Sequence, residues 1–416
     1  MRLLVSKFIV FVSLALIACE GYSAGKLMIV GGALRSDNEA VYREYIDAIP
    51  SRWADVAIVP AASGRPAHYA RQFEQDLRNF GFEGEILILP VAVKDDGSTG
   101  DVDESTWSRG AYDPQVVAKL KTVGGIWFVG GDQTRITDTL VQEDGSDSPL
   151  LAAIRNRLAK GGIVGGTSAG AAIMSSPMIA AGDSLSALTE PRAENYAGMQ
   201  SQESGQLMVK GGLGFLDAGL VDQHFDRKSR LGRLIRALEP PLARDMRRGY
   251  GIDEDTAVLA DLDTGEMKVL GRGTLVLVDA READFAEDSP RFAVKNLSLS
   301  ILSEGDRYNW QTGKMNLDGA ATVGKEAFGY TAEQGAGLTQ PNGRLDHLLG
   351  FSLLDNSDTA ELRRYAFAEN GPGVLFRFEQ TGDSQGFWRY GSGTKDQYSI
   401  QNVRLSIEPV TVSIKQ

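Results

Sequence analysis

The chain has 416 residues, 42% apolar and 24% charged, the balance of a globular protein able to bury a sizeable core. Its formal net charge of -12 argues against a basic face for polyanions, so no nucleic acid is expected as a partner. The single cysteine, Cys19, excludes an intramolecular disulfide.

Residues 1–24, MRLLVSKFIVFVSLALIACEGYSA, read as a signal peptide: Arg2 and Lys7 precede an apolar run, Phe8 to Ala18, that is short for a bilayer span. Export is therefore expected, to the periplasm or the medium. Cys19 closes the run in LIAC, a tetrapeptide that resembles the lipobox of bacterial lipoproteins. Two processing routes follow. Cleavage before Cys19 would leave it lipidated and the protein anchored to the outer membrane, whereas a cut after Ala24 would discard it.

From Lys26 short apolar runs (KLMIVGG, DVAIVPA, GEILILPV, GIWFVGG, GGIVGG) alternate with helical patterns (EAVYREYIDAI, AHYARQFEQDLRNF, PQVVAKLKTV, SPLLAAIRNRLAK). Nearly continuous apolar strands separated by amphipathic helices predict an α/β fold, a parallel sheet with helices on both faces. Ligands in such sheets collect at the carboxyl ends of the strands, where VGGAL, FVGGDQ and VGGTSAG would converge. Residues 183–206 are polar and read as a surface insertion, a plain loop rather than a lid. After Tyr250 the pattern turns to strands, and the last hundred residues are β-rich. Within this part VKNLSLSIL (294–302) and IQNVRLSIEP (400–409) share an N-[LV]-x-L-S-I core, as if a small terminal β unit repeated the closing strand of the main domain.

The stretch GGIVGGTSAGAAIM, residues 161–174, carries the chemistry. It has no Lys for a phosphate loop, and Thr167 occupies the middle glycine of a dinucleotide fingerprint. It does contain G-x-S-x-G, Gly166 to Gly170, directly after a strand and before a helix-forming run, the context in which a nucleophilic serine is raised over a sheet. Ser168 is the candidate nucleophile. Of the histidines, His68 lies in an early helical pattern and His347 in the tail, while His224 follows the short run GLVDQ at a strand end and suits a general base. An orienting carboxylate is available in GIDEDTA as Asp253, Glu254 or Asp255, and spacing does not choose among them. Arg227, Lys228, Arg230, Arg233 and Arg236 follow His224, either as a solvated helix face or as a fork for carboxylates.

Taken together, FVGGDQTRIT, GGTSAGAAIM, VDQHFDRKSRLGRL and GIDEDTAV resemble the cyanophycinase family of serine peptidases, over roughly residues 26–315 and in the family's order. That family is related to aspartyl dipeptidase (peptidase E) and to the class I glutamine amidotransferase, flavodoxin-like fold. The resemblance, closest in layout to extracellular cyanophycinases, implies a catalytic domain at 26–315 followed by a β-rich extension at 316–416. It implies hydrolysis of cyanophycin, multi-L-arginyl-poly-L-aspartate, to β-Asp-Arg dipeptides through an acyl-enzyme, without metal or cofactor. By the same resemblance Ser168 is the nucleophile, His224 the base and Glu254 its orienting acid. The N–H groups of Gly131 and Ala169 become the oxyanion hole, and Gln133, Asp222, Gln223, Lys228, Arg230 and Arg233 the substrate pocket. Lys228 departs from the arginine of cyanobacterial relatives and loses bidentate geometry. Some descriptions of the family place the acid soon after the nucleophile, where this chain has Glu190, Glu194 and Glu203.

Other readings stand beside this one. They are an aspartyl dipeptidase cutting short Asp-X peptides, an α/β-hydrolase esterase using His347, and a non-catalytic surface protein holding a cationic polymer on its acidic face. A thiol amidotransferase is excluded, because serine stands where its cysteine would be. The oligomeric state is open between monomer and homodimer.

Overall fold

A computed structural model describes residues 24–243, 245–286, 291–369, 371–391 and 395–413. The expected leader (1–23) and Cys19 lie outside the described residues. Strands β1 (Lys26–Val30), β2 (Asp55–Val59), β3 (Ile86–Ile88), β4 (Val123–Phe128) and β5 (Ile163–Thr167) run parallel in the order β3-β2-β4-β5-β1. Side chains alternate across a strand, so each run feeds two cores. Leu27, Ile29, Ala57 and Val59 face one core, and Met28, Val30, Val56 and Ile58 face the other. Burial on both sides is why these runs carry almost no polar residues.

Helices α1 (Glu39–Asp47) and α2 (Pro66–Asn79) cover the second face through Tyr42, Tyr45 and Phe73; α3 (Pro114–Lys119), α4 (Gln133–Leu140) and α5 (Pro149–Ala159) cover the first. Two expectations change here. PQVVAKLKTV stops being helical at Lys119, because Val123 is fully buried and belongs to β4. The unexpected α4 starts where the Asp132 carboxylate accepts the Thr134 N–H at 3.0 Å, a side-chain cap that offsets its β-branched threonines.

The chain continues through α6 (Ala169–Ala172), β6 (Met178–Ala181), α7 (Ser184–Thr189), β7 (Met208–Lys210), β8 (Leu220–Asp222), α8 (Leu231–Ala237), β9 (Arg248–Ile252), β10 (Thr256–Asp261), β11 (Glu266–Gly271) and β12 (Leu275–Asp279). β10 and β11 extend the first sheet antiparallel from β1. A second sheet runs β8, β9, β12, then Val294–Leu302, Asp396–Thr411, Pro372–Glu379 and Glu361–Phe367. The backbone therefore crosses from the second sheet to the first between β9 and β10, at Asp253, Glu254 and Asp255.

Residues 183–206 are not a plain surface loop. Asp183 caps α7, Ser184 and Gln202 are buried, and the Ser184 hydroxyl donates to the Ser229 carbonyl at 2.5 Å while accepting the Gly232 N–H at 3.0 Å. Part of the polar content that suggested solvent exposure, Ser184 among it, instead satisfies buried backbone groups, while residues such as Glu190 and Glu194 stay exposed. The two echoing segments are direct antiparallel neighbours, with Leu297 opposite Leu405 and Leu299 opposite Val403. Each asparagine, Asn296 at φ 61° and Asn402 at φ 59°, falls in a break of that register, a left-handed position that asparagine tolerates well.

Candidate active site

The ends of β1, β5, β8 and β9 meet around Gly31 and Gly32. The Val30 carbonyl accepts the Ser168 N–H at 3.0 Å, Gly31 accepts the His224 N–H at 2.6 Å, and Gly32 accepts the Asp255 N–H at 2.9 Å. A Cβ on Gly32 would overlap the His224 imidazole, so only glycine leaves a slot for that ring. Sequence reasoning passed over this residue, although its signal was the doubled glycine in VGGAL.

Ser168 sits at φ 54°, ψ -108°, a conformation side chains avoid and one that costs on the order of 1–3 kcal/mol. Close packing enforces it. A Cβ on Gly166 would lie 2.6 Å from the Gly170 carbonyl oxygen, and one on Gly170 would lie 2.5 Å from that of Phe128. The bend leaves the side chain half-buried, and its Oγ lies 2.9 Å from Nε2 of His224. On the other side of the ring, Nδ1 is 2.6 Å from Oε1 of Glu254. A carboxylate only accepts, so Nδ1 carries the proton and Nε2 is free to accept one from the serine.

Burial, followed by the charges of Lys228, Arg230 and Arg233, depresses the His224 pKa to about 3. The ring is thus neutral at ordinary pH, as a base requires. Burial and then the charge of Asp226 push the Glu254 carboxyl above its usual range. The other carboxylates are engaged elsewhere. Asp253 accepts from Thr274, Asp255 from Asn38 and Arg35, and Glu203 from Lys228; Glu190 and Glu194 are exposed. His68 packs edge-on to Tyr69, and His347 stacks on Phe351 with its ring centroid 5.3 Å away. The esterase reading therefore loses its base to His224.

The Gly130–Gly131 loop lies against the serine: a Cβ on Gly130 would be 3.3 Å from that of Ser168. Ala169, first residue of α6, has no carbonyl four positions back within the helix to receive its N–H. Around them the expected pocket residues divide. Arg233 is buried and directed inward, with Nε and a terminal nitrogen on the Asp222 carboxylate at 2.8 and 2.6 Å, and further bonds to the Gly182 and Gln202 carbonyls at 2.7 and 2.9 Å. Arg230 donates to the Gln223 and Gln202 carbonyls at 2.7 and 3.2 Å, its pKa lowered to about 9 by burial and by Arg233. Lys228 pairs with Glu203 beside the histidine. The Gln133 amide donates to the Ile179 and Ala180 carbonyls at 3.2 and 3.1 Å. The buried amide oxygens of Gln133 and Gln223 accept no hydrogen bond from the described residues.

A family model described as Peptidase family S51 matches residues 27–267. The chain belongs to this family. It is a hydrolase of the serine peptidase class. Over 298 residues it is 32% identical to a cyanophycinase of Synechococcus elongatus, covering 69% of this chain and 80% of that protein. A cyanophycinase of a Nostoc species is 31% identical over 290 residues, 68% and 85% of the two chains. One from Geminocystis herdmanii is 30% identical over 299 residues, 70% and 96%.

Proposed function

We propose that this peptidase is exported and cleaves cyanophycin, a poly-aspartate bearing arginine on each β-carboxyl group, to β-Asp-Arg dipeptides through an acyl-enzyme on Ser168. The observation that carries this reading is the continuous run from Ser168 Oγ through the His224 ring to Glu254, at 2.9 and 2.6 Å, on a strained turn that reaches solvent. As Oγ attacks the scissile carbonyl, Nε2 of His224 takes its proton and then delivers it to the leaving amine. Glu254 stabilises the imidazolium formed in between. Water, activated by the same nitrogen, then releases the acyl group. The N–H groups of Gly131 and Ala169 receive the developing oxyanion, each donor worth roughly 3 kcal/mol of transition-state stabilisation.

The pocket chemistry supports the substrate. The unmet amide oxygens of Gln133 and Gln223 suit guanidinium N–H donors, and Lys228 with Arg230 suits carboxylates. Asp222, buried and pinned by Arg233, holds the end of β8 just before Gln223 and His224. The names of the cyanophycinase relatives point the same way. Export rests on the leader-like residues 1–24, with lipid attachment at Cys19 as its second form.

Mass spectrometry of products after incubation with cyanophycin tests the proposal. The wild type should release the β-Asp-Arg dipeptide, and Ser168→Ala should release none. Cleavage of Asp-Leu but not of the polymer would assign the chain to the aspartyl dipeptidase alternative instead.

A further inference from the structure

The His224 turn and the Glu254 loop follow neighbouring parallel strands of the second sheet, β8 and β9, and leave them in different directions, yet their side chains must meet within a few tenths of an ångström. One residue joins them on both sides. The Asp226 N–H donates to Oδ1 of Asp253 at 3.1 Å, and Oδ1 of Asp226 accepts the Glu254 N–H at 3.1 Å. Asp253 is itself buried and anchored, its Oδ2 accepting the N–H and hydroxyl of Thr274 at 2.8 and 2.7 Å. A ladder of hydrogen bonds therefore runs from the start of β12 through Asp253 and Asp226 to the backbone of Glu254, and from its side chain to His224 and Ser168.

The turn needs such a hold. His224 at φ 47° and Ser229 at φ 49° are both left-handed non-glycine residues, and the segment between them is neither helix nor strand. Its backbone is tied by turn bonds from the Lys228 N–H to the His224 carbonyl and from the Ser229 N–H to the Asp226 carbonyl, and by the Phe225 N–H to the Ile252 carbonyl. The protein also keeps a carboxylate here at an electrostatic cost. Asp226, Asp253 and Glu254 lie together, and repulsion from Asp226 adds to burial in raising the pKa values of the other two.

We propose that Asp226 is a positioning residue for the peptidase reaction: its side chain fixes the Glu254 backbone so that this carboxylate meets the His224 ring in register. The inference rests on the reading of His224 as base. Activity surviving in His224→Ala would overturn that reading, whereas the outcomes below bear on Asp226 alone.

Three full-length variants separate hydrogen bonding from charge. Asp226→Asn keeps an acceptor oxygen in place and should hold kcat within about threefold of wild type. Asp226→Ala loses the acceptor, and Asp226→Glu carries it one methylene too far. Both should lower kcat on the order of 10- to 100-fold with KM little changed, the penalty of misplacing a reacting group by a fraction of an ångström. The neighbouring charges are Asp253 on the loop, Arg227, Lys228 and Arg230 on the turn, and Arg344 and Asp346 from the extension. With these unchanged, removal of the Asp226 anion in Asp226→Asn should also lower the pKa of the Glu254 carboxyl, read by NMR titration. Equal kcat among the three variants, or an unmoved Glu254 titration in Asp226→Asn, would overturn the proposal. Should Asp226→Ala fail to fold, the Asn and Glu variants alone decide it.

Discussion

At the scale of single residues, burial and the neighbouring cations deny His224 its ordinary charge. Its pKa of about 3, against an unperturbed 6.5, means that protonation is opposed in the folded protein. The sign has two consequences. Stability from this group is complete above pH 6.5 and falls as the pH drops toward 3, because the unfolded chain binds the proton more readily. Activity should likewise hold a plateau through pH 6 and lose its base well below the usual histidine range, visible in a kcat/KM profile. Removing a cation eases protonation, so Lys228→Gln should shift that acid limb upward; a limb already near 6.5 in the wild type would contradict the assignment. Glu254→Gln removes the group that holds the ring's tautomer and should lower kcat on the order of 10³- to 10⁴-fold. Glu203→Gln should change it only severalfold, since Glu203 meets Lys228 rather than the imidazole. The bend that raises Ser168 was legible in the sequence because glycine spacing records a steric demand. The choice of carboxylate was not, because Asp253, Glu254 and Asp255 are adjacent, and which one faces the ring depends on where the backbone crosses between sheets.

At the scale of elements, the parallel strands were readable since burial on both faces leaves an uninterrupted apolar run. Helix α4 was hidden by its threonines and rests on a cap plus the buried Ile136 and Leu140. Helix α8 was readable only as a choice between a solvated face and a fork for carboxylates. Arg233 takes the second role within the chain, buried on Asp222 and on the Gln202 carbonyl of the 183–206 segment. That segment is thus held to α8 by polar contacts of Arg233 and Ser184 as well as by apolar packing. Arg233→Leu should strip buried Asp222 of both its guanidinium hydrogen bonds, leaving Arg230 at 3.6 Å as its remaining cation, and lower stability toward the low end of about 3–5 kcal/mol, measurable by chemical denaturation. A change under about 1 kcal/mol would mean that water reaches Asp222 and that the guanidinium is dispensable.

At the scale of the whole molecule, the strands beyond residue 316 are built into the same sheet as β8 and β9, which lead to His224 and Glu254. They share a core in which Val276, Leu299, Phe376, Val403 and Leu405 pack together. The extension also leans on the His224 turn, where Arg227 bonds Asn342 and Ser229 bonds the Gln340 carbonyl. The echo of VKNLSLSIL and IQNVRLSIEP was visible in the sequence, but their adjacency was not, because self-similarity says nothing about pairing. Truncation before Asp396 should abolish the cooperative thermal transition as well as peptidase activity; a soluble, active truncate would show that the catalytic half folds alone. The strand Asp396–Thr411 lies between Val294–Leu302 and Pro372–Glu379, and it bonds Ser298 to Asn402 across 104 positions of chain. Until residues 396–411 have been made and inserted, two finished strands stand apart with bare edges. This half of the protein closes only when that late strand arrives, and until then its open edges are an invitation to neighbouring chains.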